Sequence, residues 1–408
     1  MKKTMRCILL SCALPVWGLM ASTAAAKDFV LTDTEKGIKL GDWSITSAQL
    51  KAQVKTPFSV SNKVLHGGKQ EGSEVITISS GDFVIKLSPS RGMGILSVTG
   101  KGLRLGWDSP VDEVVNPAFV NLESRGGSGW LDGFNEMMVR CGFEWTGHAV
   151  VADGMTYTLH GRAGNTPASK VIVGIEERAP YAISVKGLIK ENTFKKSKLE
   201  TWAELRYVPG SATFTVHDAV TNKGDYRQDF QIIYHSNFGA PLLEEGAKFH
   251  APIKEISPFN DYAVQGIDDW QTYLGPTRDF DEMVFNVIPF ADENKQTLAL
   301  LTNKAGDRGV SIGFDITQLP VLSLWKNTDT LKQGYVTGLE PGTSFAYPVT
   351  IAREQGRVRT LEPGQSANFD LEYRLLPDRA AVDGSLKRIA AIQEQGPLQV
   401  NKTPMTRK

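Results

Sequence analysis

Apolar and polar residues alternate with a period of two over seven short stretches of the chain. Such alternation is typical of strands with one buried face and one polar face. Thirty-nine glycines and twenty prolines are spread along the chain and can supply the turns between these stretches. We therefore predict an all-β protein, a large antiparallel β-sandwich, with strands at residues 74–79, 82–87, 170–175, 181–189, 211–217, 229–234 and 369–375.

Helical periodicity is rare, and its best example is Ser385–Glu394, after the last predicted strand. No repeat of fixed period and no low-complexity linker divides the chain. We therefore predict two large packed sheets in one domain, residues 73–380. Residues 27–72 would form an N-terminal extension, and residues 381–408 a C-terminal helix and tail. Two smaller β domains, with a boundary near residues 191–197, are the alternative.

The first 26 residues have the pattern of a secretory signal peptide. Basic residues at positions 2, 3 and 6 precede a mostly apolar run, Ile8–Met20, and Ala24–Ala26 is a small-residue cleavage site. The apolar run is shorter than the ~20 residues that cross a bilayer. We therefore expect a periplasmic protein that does not contact the membrane after cleavage. A lipoprotein signal that ends at Cys12 is an alternative, although few apolar residues precede this cysteine.

The charge balance and the cysteine content limit the kinds of binding partner and cross-link that we expect for the protein. The chain has 45 basic and 45 acidic residues, a balance that does not favour nucleic acid or an anionic membrane surface. Two of the three cysteines lie in the signal segment, so cleavage would leave Cys141 with no partner for an internal disulfide. The expected partner is a small molecule, and the sequence leaves the oligomeric state open.

A segment rich in glycine and tryptophan, residues 121–147, interrupts the strand pattern. Long irregular segments within a compact domain are often functional. Trp130 and Trp145 could stack on the apolar faces of sugar rings. They could equally fill the end of the sandwich, and the pattern leaves both interpretations open.

Polar residues of chemical interest occur at His160, at His235 with Asn237, and at Glu340. No close spacing of histidines and cysteines predicts a metal site, and neither a Gly-x-Ser-x-Gly motif nor a nucleotide-binding glycine loop is present. We therefore expect neither a metal nor a cofactor. A histidine and a partly buried glutamate can both exchange protons near neutral pH. Such a pair is sufficient to open and reclose a cyclic hemiacetal, and a structural role for each histidine is the alternative.

Five short motifs then occur in a fixed order along the chain. They are Arg91-Gly92-Met93-Gly94-Ile95, Leu159-His160-Gly161-Arg162, Asn165-Thr166-Pro167-Ala168, Tyr234-His235-Ser236-Asn237-Phe238-Gly239 and Tyr335-Val336-Thr337-Gly338-Leu339-Glu340-Pro341. In order and spacing they resemble the aldose 1-epimerase (galactose mutarotase-like) superfamily, in particular a divergent bacterial branch of it. The similarity extends from about Ser73 to Leu376.

The resemblance implies a β-sandwich of the mutarotase type and an isomerase that interconverts the α and β anomers of a free aldose or a close derivative. It implies that Glu340 is the general base and His235 the general acid. The substrate-binding residues that follow from it are Arg91, His160, Arg162, Asn237, Glu282 and Lys326. Glu282 stands where the family has an aspartate, and Tyr234 and Gly239 differ from the residues of the galactose enzymes. These departures concern the choice of sugar more than the acid–base pair.

Two other functions stay open. One is a non-catalytic periplasmic carbohydrate-binding protein, which would not require both the histidine and the glutamate. The other is a carbohydrate-cleaving enzyme on a similar sandwich, which requires a second carboxylate that no motif in the sequence supports.

Overall fold

The computed structural model of the protein describes residues 26–405, and most of its regular structure is β. The strands of the first half are β1 (Ala26–Asp33), β2 (Ile38–Lys39), β3 (Trp43–Thr46), β4 (Phe58–Val64), β5 (Glu74–Ser80), β6 (Phe83–Ser88), β7 (Gly94–Gly100), β8 (Leu103–Leu105), β9 (Met138–Phe143), β10 (Val150–Ala152), β11 (Met155–Tyr157), β12 (Lys170–Glu176), β13 (Ile183–Asn192) and β14 (Lys198–Tyr207). Those of the second half are β15 (Thr213–Asn222), β16 (Gln228–Phe238), β17 (Lys248–His250), β18 (Ile253–Pro258), β19 (Met283–Pro289), β20 (Gln296–Thr302), β21 (Gly309–Asp315), β22 (Val321–Asn327), β23 (Val336–Gly342), β24 (Arg359–Leu361), β25 (Ser366–Leu376) and β26 (Gln399–Val400). Within residues 26–405 the α-helices are α1 (Ser124–Gly127), α2 (Asp261–Val264), α3 (Val349–Glu354) and α4 (Arg379–Gln393).

The strands form two large sheets and one small hairpin. The ten-stranded sheet has the order β17-β20-β21-β25-β15-β14-β13-β12-β1-β2. The fourteen-stranded sheet has the order β26-β18-β19-β22-β23-β16-β9-β7-β6-β5-β4-β3, with β8 and β24 paired at its side. Apolar side chains of both sheets, such as Val216 and Ile232, share one buried core. The predicted all-β sandwich is confirmed, and every stretch of alternation noted above overlaps a strand.

The chain ends reinforce the sheet edges. Strand β1 pairs with β12 in one sheet, and β4 pairs with β5 in the other, so residues 26–64 contribute edge strands to both sheets. Helix α4 begins at Arg379 rather than at Ser385, because the Asp378 side chain caps it by accepting a hydrogen bond of 2.9 Å from the Ala381 N–H. The predicted signal peptide, residues 1–26, lies outside the described residues except for Ala26. Within the described part of the chain no helix is long and apolar enough to cross a membrane.

The segment 121–147 is not wholly irregular, because it contains β9, a fully buried strand that pairs with β16 and β7. Arg140 of this strand contacts Asp218 of the opposite sheet, whereas Val139 and Cys141 belong to a separate apolar cluster with Trp130. A strand covered on both faces has buried side chains on both faces, so the apolar–polar alternation that reveals a half-exposed strand is lost.

Two strands include residues that lie outside the predicted strands. Strand β16 does not end at Tyr234 but continues to Phe238, and the Pro341-Gly342 pair lies inside β23. The two strands are antiparallel neighbours, with Ile233 opposite Gly342 and Ser236 opposite Leu339. This register places His235 and Glu340 directly across from each other on one face of the sheet.

Candidate active site

His235 and Glu340 are in contact at the centre of the fourteen-stranded sheet. The His235 Nε2 atom lies 3.2 Å from the Glu340 Oε1 atom. Both residues are buried, with 4% and 2% of their surfaces exposed. Glu340 Oε1 has no hydrogen-bond partner among the described residues, since the approach of the imidazole lacks hydrogen-bond geometry. Strand pairing therefore brings together the acid–base pair that the sequence suggested, with bonding capacity left for a ligand.

Asn237 sets the orientation and the tautomer of His235. Its amide nitrogen donates to the carbonyl oxygens of Glu136, at 2.9 Å, and His235, at 3.2 Å. The amide oxygen therefore faces His235 Nδ1, at 2.7 Å, and accepts the hydrogen bond of the Nδ1–H group. In the neutral ring this arrangement leaves the lone pair on Nε2, which faces Glu340. Asn237 thus lies behind His235 and does not line the cavity.

Burial favours the uncharged form of both members of the pair. Burial lowers the pKa of His235 to about 4, against the opposing effects of the Asn237 hydrogen bond and the Glu282 charge. Burial, with a smaller contribution from the Glu282 carboxylate, raises the pKa of Glu340 well above its usual value. At pH values between the pKa of His235 and that of Glu340, the pair shares one titratable proton. The favoured form is a protonated Glu340 carboxyl beside a neutral His235 imidazole.

A cavity of about 400 Å³ opens above the pair, a size typical of small-molecule sites. Its apolar wall includes Trp130, Phe134 and Trp325, and the Trp130 and Trp325 rings lie 6.0 and 5.3 Å from the His235 ring. Trp145 instead packs on Tyr157 in a separate cluster. Of the two tryptophans of the 121–147 segment, one lines the cavity and the other fills the structure.

His160 lines the cavity beside His235. Its main chain has a left-handed φ of 57°, held by a hydrogen bond of 2.8 Å from its N–H to the Gly147 carbonyl. Its ring meets His235 edge-on at 5.2 Å, and its Nδ1 atom is buried with no partner in the described structure. Burial, with smaller effects of the other histidines, holds the pKa of His160 well below its usual value, so the ring is neutral.

Glu282, which the family resemblance implied as a substrate-binding residue, lines the cavity at its mouth. His148, which the sequence analysis did not select, lies beside it. Trp325 Nε1 donates to Glu282 Oε2 at 2.8 Å, and His148 Nε2 lies 3.8 Å from Oε1. The facing His148 ring lowers the pKa of Glu282, although burial opposes it, so this carboxylate is ionised. His148 stands in a loop with no motif around it, and nothing in the sequence singled it out.

Arg91 does not line the cavity, contrary to the predicted substrate contact. Its guanidinium is buried, lies 2.9 Å from Glu136 Oε1, and donates to the Gly133 carbonyl at 2.8 Å and to Asn165. Gly133 leaves the space for this group, because a Cβ atom there would lie 2.4 Å from the Arg91 Nη1 atom. Arg91 therefore stabilises the turn between Trp130 and Phe134. These two residues line the cavity, so Arg91 supports the cavity wall without lining the cavity itself.

Arg162 and Lys326 also lie outside the cavity. Arg162 donates to Glu144 Oε2 at 2.6 Å and stacks on Trp145. Lys326 donates to the carbonyls of Trp270 and Thr272, at 3.0 and 2.7 Å. Successive residues of a strand point to opposite faces, so the side chain of Trp325 in the cavity places that of Lys326 on the other side of the sheet.

The polar side chains that line the cavity are of only a few types. Among residues 26–405 no lysine or arginine lines the cavity. No group of three or more His, Cys, Asp or Glu side chains in this range could hold a metal ion. The site offers three imidazoles, two carboxyl groups and an aromatic wall, which is a set suited to proton transfer on a neutral polar ligand.

The chain matches, over residues 70–375, the family described as Domain of unknown function (DUF4432). It is similar to the crystal structure of a Klebsiella pneumoniae protein provisionally named an aldose 1-epimerase, with 64% identity, a TM-score of 0.93, and coverage of 94% of this chain and 100% of that one. A galactose mutarotase-like protein from Clostridium acetobutylicum, 12% identical, shares the fold with a TM-score of 0.52 over 82% of this chain and 98% of that one. A search of curated proteins gives no match. The chain thus belongs to the DUF4432 family and, with its Klebsiella relative, to the aldose 1-epimerase (galactose mutarotase-like) superfamily.

Proposed function

We propose that the protein is an aldose 1-epimerase, a mutarotase that interconverts the α and β anomers of a free aldose or aldose derivative. The observation that carries the proposal is the buried contact of 3.2 Å between His235 Nε2 and Glu340 Oε1 at the base of a cavity of monosaccharide size. The provisional name of the Klebsiella relative supports the same general class.

The proposed reaction uses the single proton of the pair. Opening the sugar ring requires one proton to leave the anomeric hydroxyl and another to reach the ring oxygen. In the favoured form the protonated Glu340 gives its proton to the ring oxygen, while His235 Nε2 accepts the proton of the hydroxyl. The aldehyde group then rotates, and the reverse transfers close the ring as the other anomer, so no cofactor takes part.

The roles implied by the family resemblance, Glu340 as base and His235 as acid, belong to the other form of the same pair. The two forms differ only in which of the two side chains, 3.2 Å apart, holds the proton. They contain the same number of protons, so a pH–rate profile reports the pair as a unit. The mechanism therefore requires both residues, whichever of them holds the proton when the sugar arrives.

We further propose that the reaction takes place in the periplasm, as the signal-like residues 1–26 suggest. Expression of the full chain in a Gram-negative host, followed by cell fractionation and mass determination, tests this location. We expect a periplasmic product that begins near Lys27, whereas an uncleaved cytoplasmic product would contradict it.

Saturation-transfer NMR or polarimetry over a panel of aldohexoses and aldopentoses tests the activity. We expect the wild-type protein to accelerate anomer exchange of at least one sugar above the buffer rate. Glu340→Gln preserves shape but removes the exchangeable proton, and should lower kcat by about 10²–10⁴-fold. Glu144→Gln is the matched control, because Glu144 pairs with Arg162 outside the cavity and should leave kcat near the wild-type value.

Two results would replace the proposal by another function. Saturable quenching of tryptophan fluorescence by a sugar, with no anomer exchange, would identify a non-catalytic carbohydrate-binding protein. Release of new reducing ends from oligosaccharides would identify a carbohydrate-cleaving enzyme.

A further inference from the structure

His148 and Glu282 face each other at the mouth of the cavity, and each has one polar atom engaged and one free. His148 Nδ1–H donates to the Ala346 carbonyl at 2.7 Å, which leaves Nε2. Glu282 Oε2 accepts from Trp325 at 2.8 Å, which leaves Oε1. The two free atoms lie 3.8 Å apart, too far for a direct hydrogen bond of ordinary length.

A hydroxyl group has the bonding pattern that this gap requires. It carries one donor and two lone pairs, so it can donate to the Glu282 carboxylate and accept from the Nε2–H of a protonated His148. Burial alone would lower the pKa of His148, but the facing Glu282 and the Ala346 carbonyl raise it. The pair can thus offer one charged acceptor and one charged donor to the same oxygen atom.

Both side chains are held in place before a ligand arrives. The His148 ring stacks on Phe259, with centroids 5.0 Å apart, and the His148 main-chain N–H also donates to Ala346. Trp325, which fixes Glu282, lies on strand β22 with its ring edge-on to His235. Preorganised groups lose little conformational entropy when they bind a ligand.

The exposure of His148 and Glu282 indicates which end of a bound sugar they would contact. Both side chains are about two-fifths exposed, 37% for His148 and 42% for Glu282, whereas His235 and Glu340 are almost fully buried. A monosaccharide with its anomeric centre at the buried pair would therefore present its far edge to the mouth. A carboxylate or phosphate on that edge would meet the Glu282 carboxylate together with the protonated His148, a pair with no net charge. No arginine or lysine of the described residues lines the cavity to supply the further positive charge that an anion would need.

We propose that His148 is a specificity-determining residue, which together with Glu282 binds one uncharged hydroxyl of the sugar at the end remote from the anomeric centre. This inference rests on the proposed epimerase function, and it adds a residue and a requirement on the substrate. The substrates are then neutral aldoses that carry a free hydroxyl at that position.

The test combines His148→Phe with monodeoxy derivatives of the aldose that the wild-type protein exchanges best. Phenylalanine keeps the stacking on Phe259 but cannot bind a hydroxyl. A hydrogen bond to a charged group corresponds to about 10–100-fold in affinity. We expect one monodeoxy sugar to lose this factor in kcat/KM with the wild-type protein, through KM rather than kcat. In His148→Phe the parent sugar should lose the same factor, and the preference over that deoxy sugar should disappear.

The control is His66→Phe, because His66 is an exposed histidine that also faces a glutamate, Glu71, at 3.1 Å. It should retain the wild-type preference. A His148→Phe variant that loses activity equally on all sugars, or keeps the wild-type preference, would overturn the inference while the epimerase function stands. If the wild-type protein exchanges no sugar, the epimerase proposal fails. The same preference is then measured as dissociation constants by tryptophan fluorescence, and absence of binding or of preference would overturn the role of His148.

Discussion

Two adjacent residues of strand β16, Tyr234 and His235, carry buried polar groups to opposite faces of the same sheet. Tyr234 points to the core between the sheets, where its hydroxyl donates to Asp218 at 2.8 Å. His235 points to the cavity, where it meets Glu340. Both side chains are buried, but the hydrogen bonding of the polar groups differs between the two faces.

On the core side the polar groups are matched by charge and by hydrogen bonds. Arg140 binds Asp218 through two hydrogen bonds, of 2.6 and 2.9 Å, and also donates to the Met93 carbonyl at 2.7 Å. Burial alone would lower the pKa of Arg140, but Asp218 raises it, so the guanidinium stays charged. On the cavity side Glu340 Oε1 and His160 Nδ1 have no partner in the described structure, and burial favours the neutral forms. The Arg140–Asp218 pair, whose hydrogen bonds are complete, stabilises the sandwich. The His235–Glu340 pair keeps atoms that can bind a ligand and transfer protons.

The largest expected effect tests the core side. Arg140→Met leaves Asp218 buried without its counter-ion, and should lower the free energy of unfolding by about 3–5 kcal/mol. Chemical denaturation measures this change. The double variant Arg140→Met/Asp218→Leu removes both charges and should recover part of the loss. Glu340→Gln removes no ion pair and should leave stability nearly unchanged, and equal destabilisation by both single variants would end the distinction between the two faces.

The pH dependence of exchange tests the cavity side. Because the pKa of His235 is lowered from 6.5 to about 4, the imidazole stays neutral until the pH falls to that value. Below it His235 takes up a second proton and the pair has no base, so kcat/KM should fall about tenfold per pH unit. Exchange rates measured from pH 3 to 8, corrected for buffer catalysis, check this limb. A fall that begins near pH 6.5 would mean that the pair is more hydrated than its burial indicates.

The smallest effect is expected on strand β22, whose two faces show the same division. Trp325 lines the cavity and Lys326 lies behind it, where burial lowers the pKa of the amine to about 8. Lys326→Met should change the anomer exchange rate by less than about twofold, since an apolar chain of similar length replaces a group outside the cavity. Trp325→Leu is the matched variant on the other face, and should lower kcat/KM because it removes both the aromatic wall and the donor to Glu282. A larger effect of the lysine change would show that the two faces are coupled.

Much of the fold can be predicted from the alternation of apolar and polar residues along the chain. Strands such as β5 and β15 have one face buried, so their side chains alternate and their positions can be read from the sequence. Strand β9 could not be read in this way, because it is buried on both faces. Strand β16 was predicted to end at Tyr234, and β23 was not predicted, for the same reason, since the residues that the pattern missed are buried on both faces.

The candidate site, like the fold, could be predicted only in part from the sequence. The sequence alone determined the strand-rich class. Its ordered motifs proposed His235, Glu340 and His160, and the family resemblance added Glu282. Only the tertiary structure decided that His235 and Glu340 touch, that Arg91, Arg162 and Lys326 point away from the cavity, and that His148 lies at its mouth. The physical reason is that alternation within a strand is a local property of the backbone. The register between strands far apart in the chain, and the face toward which each side chain points, are set by packing of the whole sheet.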